Sequence, residues 1–462
     1  MTVALISILL LGYVLIATSS ITKVNKAAAA MFAGTVGWVF YICYGTDFVM
    51  AAHVDEYMDF LGGIAPTSIT VKHFIAQEVF IKYVGRGAEL VLFLLATMTI
   101  VEILDNNGCF DFIKEALRIY ESRKLLWVMS LITFILSANL DNLTTTTMML
   151  VIMHGIVPNR RQRMIYGCAI VIAANCGGAL TVIGDPIGLL LWTNGTVTAT
   201  NFSMALAVPC LLGCLFPLFW LQRSLHGNIQ LQQTALPYRG DDTNLNRWQR
   251  LVMLIVGIGG LWFIPTFHNI TKLSPFLGAL CVLSVLWVVN EIMNRRLMDV
   301  DKMINRSTPR VLQHGVIQLM LFIMGIMLAV GAVKETGALT TFANWCDANI
   351  HNVWIMGMAA GCISSVLDTF ASGMSFISLY PAPVSETAAT GYAGLFAQNG
   401  IYWKIIAYCS QMGGNFLMIG SASGLALIKM ERIHVGWFLR NVGWAAIAGS
   451  VLGLIALWII AA

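Results

Sequence analysis

Ten apolar runs lie near residues 2–21, 29–50, 87–104, 164–193, 203–222, 250–267, 275–293, 312–333, 402–430 and 437–460. Each approaches the roughly 17–25 residues that a helix needs to cross a bilayer. In lipid every backbone N–H and C=O must be satisfied inside its own segment or a closed barrel, and long unbroken runs do this as helices. Composition agrees: 58% of the 462 residues are hydrophobic and 11% are charged, where a soluble domain carries about 25% charged residues. A soluble enzyme is excluded, and the fold class is an all-α polytopic membrane protein. The first run has no Lys or Arg before it, so it reads as a spanning helix rather than a signal peptide. The ten cysteines lie mostly inside apolar runs without a C-x-x-C and read as small hydrophobes. The net charge of +4 sits in short loops, and nothing in it points to nucleic acid.

Two further runs, 125–153 and 354–380, carry polar clusters in their middles: Ser137-Ala-Asn-Leu-Asp-Asn-Leu-Thr-Thr-Thr-Thr147 and Ser364-Ser-Val-Leu-Asp-Thr-Phe-Ala-Ser-Gly373. Basic loop residues collect on the cytoplasmic side. If both runs are re-entrant hairpins and the N-terminus is outside, 21 of the 27 Lys and Arg fall inside and 6 outside. If both cross, the division is 11 and 16. The hairpin arrangement is therefore expected, with ten crossings and both termini on the external, periplasmic side. Hairpins with polar tips imply a buried polar site. The stretch Cys109–Tyr120 reads as an amphipathic interfacial helix.

The halves resemble each other. Ser137 and Leu140-Asp141 match Ser364 and Leu367-Asp368. Gly177-Gly178, Ile183-Gly184 and Gly188-Leu189 match Gly413-Gly414, Ile419-Gly420 and Gly424-Leu425. The expected organisation is a first repeat at 1–222, with hairpin 125–153 and broken helix 164–193, a cytoplasmic linker at 223–249, and a second repeat at 250–462, with hairpin 354–380 and broken helix 402–430. Five crossings per half invert one repeat relative to the other. Inverted repeats with discontinuous helices place substrate sites of secondary transporters near the midplane.

Asp141, Asp185 and Asp368 fall at the hairpin tips and in the first Gly-rich break. A buried carboxylate is costly unless paired, hydrated or coordinating. No Lys or Arg is placed in sequence to pair with these three, which fits a cation site or proton relay. Asn142, Thr144, Asn175, Thr369, Ser372, Ser410, Asn415, Ser421 and Ser423 add hard oxygen donors, suited to small hard cations. Several of these neighbours have a structural alternative: Thr144–Thr147 as packing, Asn175, Asn415, Ser421 and Ser423 as helix caps. Glu102 is an accessory acid, or an ion-pair partner of Lys114 or Lys124. His154 and His314 fall on the basic-loop side as surface residues or pH sensors.

The stretches Met98-Thr-Ile-Val-Glu102, Leu140-Asp-Asn-Leu-Thr-Thr-Thr146, Ala173-Ala-Asn-Cys-Gly-Gly178, Ile183-Gly-Asp-Pro186 and Leu367-Asp-Thr369, taken in order, resemble the NhaD-type sodium/proton antiporters. That resemblance implies exchange of Na+ or Li+ for H+ in the bacterial inner membrane, by a homodimer of two inverted halves with no cofactor. It assigns ion and proton roles to Asp141, Asn142, Asn175, Asp185, Asp368, Thr369, Ser410 and Asn415, with Na+ at Asp141, Asp185 and Asp368. Pro186-Ile187 departs from the hydroxyl-rich run of many members, which bears on ion preference.

A Na+-coupled dicarboxylate symporter or an oxyanion exporter of the same superfamily is the alternative. Acids at both hairpin tips would repel a dicarboxylate. An intramembrane aspartyl protease would need Tyr-Asp and Gly-x-Gly-Asp motifs that Val182-Ile-Gly-Asp185 and Leu367-Asp368 do not complete. A channel is disfavoured because buried acids bind ions tightly.

Overall fold

The computed structural model describes residues 1–229, 245–294, 315–382 and 391–461. Most of the expected linker, the basic cluster Arg295–Arg310, His314 and part of the loop 381–401 lie outside the described residues. The described chain is helical, with one isolated antiparallel bridge between Glu121 and Asn228.

In chain order the main helices are α1 (Thr2–Ala17), α2 (Lys26–Tyr44), α3 (Ser68–Asn106), α4 (Ser122–Asn139), α5 (Asn142–Ile156), α6 (Arg160–Leu180), α7 (Pro186–Thr193) and α8 (Ala199–Leu221). They continue as α9 (Arg247–Thr271), α10 (Pro275–Asn294), α11 (Gly315–Lys334), α12 (Val353–Val366), α13 (Thr369–Ile377), α14 (Ile401–Leu417), α15 (Ala422–Glu431) and α16 (Val435–Ala461). Eight helices among the described residues are long and apolar enough to cross a membrane. They correspond to eight of the ten expected runs. The run 2–21 is a shorter apolar helix, and 402–430 is interrupted. Large apolar side chains such as Trp262, Val285, Trp444 and Ile459 are exposed on outer helix faces, as lipid contact requires. The protein is thus an all-α polytopic membrane protein. Seven cysteines are buried and Cys43, Cys281 and Cys362 are exposed, all with free thiols.

The helices form two packed groups. In one, α2 lies against α11, with α1 on α2, and α3 lies between α10 and α11. In the other, α4 packs on α6, α12 on α14, and α8 on α16. The α2–α11 crossing is close: a methyl group on Gly34 would come within 2.8 Å of the Gly325 carbonyl oxygen. Trp38 Nε1 donates to the Leu328 carbonyl across the same seam at 2.9 Å. Small residues at such crossings let backbones approach where lipid supplies no hydrophobic drive.

The second group contains four chain breaks. Helix α4 ends at Leu140, and the chain returns as α5. Three residues later α6 begins beside the start of α4, where the Tyr166 hydroxyl donates to the Ser122 carbonyl at 2.9 Å. Helices α4 and α5 therefore form a hairpin. Likewise α14 begins beside the end of α13, where the Tyr402 hydroxyl donates to the Phe376 carbonyl at 2.8 Å. The interfacial helix expected over Cys109–Tyr120 is confined to Asp111–Ala116. Its Asp111–Lys114 pair closes one turn at 2.9 Å, and beyond Leu117 the chain leaves the helix, the Tyr120 carbonyl accepting from the Ile229 amide at 2.7 Å beside the Glu121–Asn228 bridge.

Candidate functional site

Each break begins a half-helix, and each half-helix leaves N–H groups without intrahelical partners. Asp141 caps α5: its Oδ1 accepts from the Leu143 and Thr144 amides, both at 2.9 Å. Asp185 caps α7 through Oδ2 and the Ile187 amide at 3.0 Å, with Pro186 at the first helical position. Asp368 caps α13 through Oδ1 and the Phe370 amide at 3.0 Å. Ser421 caps α15 through Oγ and the Gly424 amide at 3.0 Å. An extended Asp or Ser is the natural residue at this position, since its side chain reaches the second or third amide. Partial positive charge at the half-helix N-termini also favours the carboxylates.

The two halves repeat their contacts. Ser137 Oγ donates to the Ala174 carbonyl at 2.6 Å, and Ser364 Oγ donates to the Ser410 carbonyl. A methyl on Gly184 would come within 2.7 Å of the Ser137 carbonyl oxygen, and one on Gly420 would overlap that of Ser364. Each hairpin tip is locked to the neighbouring helix break through a serine and a glycine.

The expected donors gather in the second group of helices. Asn175 Nδ2 donates to Asn415 Oδ1 at 2.7 Å, joining α6 to α14. The two asparagines pair with each other and cap nothing. Asn142 Nδ2 reaches Asp185 Oδ1 at 3.4 Å, and its carbonyl accepts from Ser423 Oγ at 3.2 Å. Thr369 is buried, its amide bonded to the Gly420 carbonyl at 2.9 Å. Thr144 is half-buried and meets Asp141 through its amide. Several buried polar atoms here have no hydrogen-bond partner: Asp141 Oδ2, Asn175 Oδ1, Ser410 Oγ, the hydroxyls of Thr145 and Thr146, and both amide atoms of Gln411. Buried polar atoms are rarely left this way, so a cluster of them calls for an explanation such as an ion or water. Gln411, beside Asp185, was missed in sequence. Its signal was the half-to-half spacing that aligns it with Asn175.

Three expectations are corrected. Asp368 does have a basic partner: Lys26 Nζ lies 3.2 Å from its Oδ2 and 3.4 Å from the Ile419 carbonyl oxygen. Lys26 opens α2, and its long stem carries the ammonium inward from the helix end. The described residues hold no cluster of three or more Asp, Glu, His or Cys able to grip one ion, so the three aspartates do not close around a shared metal. Glu102 stands on α3 with Asn106 as its partner at 3.1 Å, while Lys114 and Lys124 pair with Asp111 and Glu121. His154, by contrast, is tied to a buried carboxylate. It lies 3.0 Å from Glu431 Oε1, to which Arg163 Nε also donates at 2.9 Å.

Two cavities flank the site along the seam between the helix groups. One, of about 610 Å³, is lined by Lys23, Lys26, Gln318, Phe322, Asp368 and Lys429. The other, of about 580 Å³, is lined by Arg86, Glu89, Met327, Lys334, Met374 and Tyr380. They lie at opposite ends of α11 and of α13. Neither is lined by Asp141 or Asp185.

Apolar helices, buried chain breaks capped by acids and a cavity at either end of the same two helices together define a membrane transporter. Comparison with known proteins agrees. The citrate transporter family matches over residues 2–403. Sodium/proton antiporter 1 of Arabidopsis thaliana is 33% identical over 369 residues, covering 80% of this chain and 61% of that protein's length. Sodium/proton antiporter 2 of the same plant is 30% identical over 369 residues, covering 79% and 84%. The Na+/H+ antiporter NhaD of Vibrio parahaemolyticus is 25% identical over 382 residues, covering 76% and 84%. The chain belongs to the citrate transporter family and, within it, to the NhaD-type sodium/proton antiporters.

Proposed function

We propose that the protein exchanges Na+ or Li+ for H+, with cation and proton competing for Asp141 and Asp185. The observation that carries this reading is the set of unpartnered oxygens beside those two acids. Asp141 Oδ2, Asn175 Oδ1, Ser410 Oγ and Gln411 Oε1 are buried hard donors with nothing to hold. Neither acid has a salt-bridge partner among the described residues. A small monovalent cation satisfies such oxygens, and a proton neutralises the carboxylates when the cation leaves. Burial penalises the charged, unoccupied state, so the empty carrier is the least stable form. If only the cation-loaded or protonated form changes sides, exchange is obligatory.

Asn142, Thr144 and Asn415 complete the proposed surroundings. Thr369 and Ser421 belong to the second half, where Ser421 is engaged as a cap, and Glu102 stands apart as an accessory acid. The two halves are read as inverted repeats of five crossings, supported by their duplicated contacts. The basic-loop count supports cytoplasmic lysines and external termini, and residence in the bacterial inner membrane is proposed from the resemblance to the bacterial antiporters. A homodimer is proposed from the family resemblance.

The test is purified full-length protein in proteoliposomes with a pH-reporting dye. Na+ or Li+ should collapse an imposed pH gradient, and Asp141→Asn and Asp185→Asn should each abolish this. Full exchange by either variant sinks the reading. One observation favours a second reading, a Na+-coupled carrier of dicarboxylates or oxyanions: three lysines line the cavity at Asp368. Citrate or succinate uptake in the same vesicles, with no response to cations alone, would establish it.

A further inference from the structure

We propose that the Lys26 ammonium is the resident cation of the second half, leaving one transported cation per chain, in the first half. This rests on the exchange reading above. A cation site built at a helix break needs a carboxylate and a freed backbone carbonyl. The second half has both: Asp368 Oδ2 at its hairpin tip and the Ile419 carbonyl in the break before α15. Lys26 Nζ lies against both, at 3.2 and 3.4 Å. The ammonium stands where an ion would.

Two further observations agree. Where the first half has Asp185, the second has Ser421, so the tip and break of the first half carry two acids and those of the second one. With Lys26 in place the site at Asp368 has no net charge, while Asp141 and Asp185 have no salt-bridge partner among the described residues. The approach to Asp368 is also basic. Lys23 and Lys429 line the same cavity, and Asp368 is its one lining carboxylate. A vestibule with three ammonium groups repels Na+ and lowers its local concentration. The residue is held in place rather than adventitious: its side chain is 15% exposed and that of Asp368 9%. Lys26 belongs to α2 in one helix group and Asp368 to the other, so the bond also spans the seam between them.

The experiment counts saturable Na+ sites on purified full-length protein by radiolabelled Na+ binding, alongside Na+-driven proton flux. Wild type and Lys26→Arg should each bind one Na+ per chain. Lys26→Gln should bind two, and the double variant Lys26→Gln with Asp368→Asn should return to one. Two sites in wild type, or one in a folded Lys26→Gln, overturn the inference while leaving exchange intact. Absence of both binding and flux in wild type overturns the exchange reading and this inference with it. Should Lys26→Gln fail to fold, Asp368→Asn alone decides: retention of one Na+ site supports the inference, and loss of Na+ binding overturns it.

Discussion

The two hairpin-and-break assemblies share their backbone contacts and differ in their charge. In both, a serine of the hairpin tip bonds a carbonyl of the neighbouring helix, and a glycine lets the break approach the tip. In both, the half-helices are capped by side-chain oxygens. Yet the first carries Asp141 and Asp185 with no basic partner among the described residues, and the second carries Asp368 bonded to Lys26 and a serine at the other cap. Duplicated contacts preserve the geometry. Single substitutions at caps then change the chemistry freely, because either side chain satisfies an amide of the first turn: Asp185 that of Ile187, Ser421 that of Gly424.

The sharpest way to test that comparison is Asp185→Ser, which gives the first half the cap of the second. A serine retains the cap, so stability should fall by no more than about 1 kcal/mol. Na+ affinity should fall at least about 100-fold, equivalent to about 2.8 kcal/mol. Sodium titration of proton flux together with thermal unfolding in detergent separates the two effects, and an unaltered sodium response would remove Asp185 from the site. Next in size is the glycine pair. Gly420→Ala drives a methyl into a backbone carbonyl that cannot move aside, whereas Gly184→Ala meets its carbonyls at 2.7 Å. Overpacking of this kind costs about 1–3 kcal/mol or more. Gly420→Ala should yield less folded protein than Gly184→Ala on size-exclusion chromatography, and the reverse order would show that the two locks are not built alike.

A smaller effect is expected where the halves meet. Glu431 of α15 is buried and held by Arg163 of α6 and His154 of α5. Arg163→Ala leaves the buried Glu431 carboxylate with His154 as its partner, so the loss should be about 1.5 kcal/mol, the low end for a hydrogen bond to a charged group. His154→Ala leaves Arg163 in place and should cost clearly less. Equal losses in melting temperature would mean that Glu431 is satisfied some other way. The smallest expected change is Ser137→Ala, which removes one bond of 2.6 Å. It should lower stability by about 1 kcal/mol, with Ser364→Ala lowering it similarly. A large difference between the two would break the equivalence of the hairpins.

Much of this was legible in the sequence because hydropathy and helix breaks are local properties. Eight expected spans, the interruptions beside Asp141, Asp185, Asp368 and Ser421, and the half-to-half spacing all follow from runs of neighbouring residues. Partners distant in the chain were not legible. Lys26 and Asp368 are 342 residues apart, and a lysine at a helix start reads simply as a loop charge. Glu431 gave no signal in the sequence, since its partners His154 and Arg163 lie more than 260 residues away. Gln411 stayed hidden because its half-to-half match, Asn175, is a different residue type, although the Gly-Gly spacing aligns the two. The 111–116 helix is shorter than its amphipathic pattern, because pairing of Tyr120 with Ile229 ends it early.

The seam between α2 and α11 has a consequence for synthesis. Gly34 and Gly325, which touch across it, are 291 residues apart (325 minus 34). At ribosomal speeds of about 5–20 residues per second, α2 waits roughly 15–60 s for the helix that covers it. Through that interval its alanine and glycine face meets lipid or the insertion machinery rather than its native neighbour. A bulky residue at Gly34 would therefore act on every nascent chain before any ion is carried, and its signature would be degradation of unassembled chains rather than slow transport.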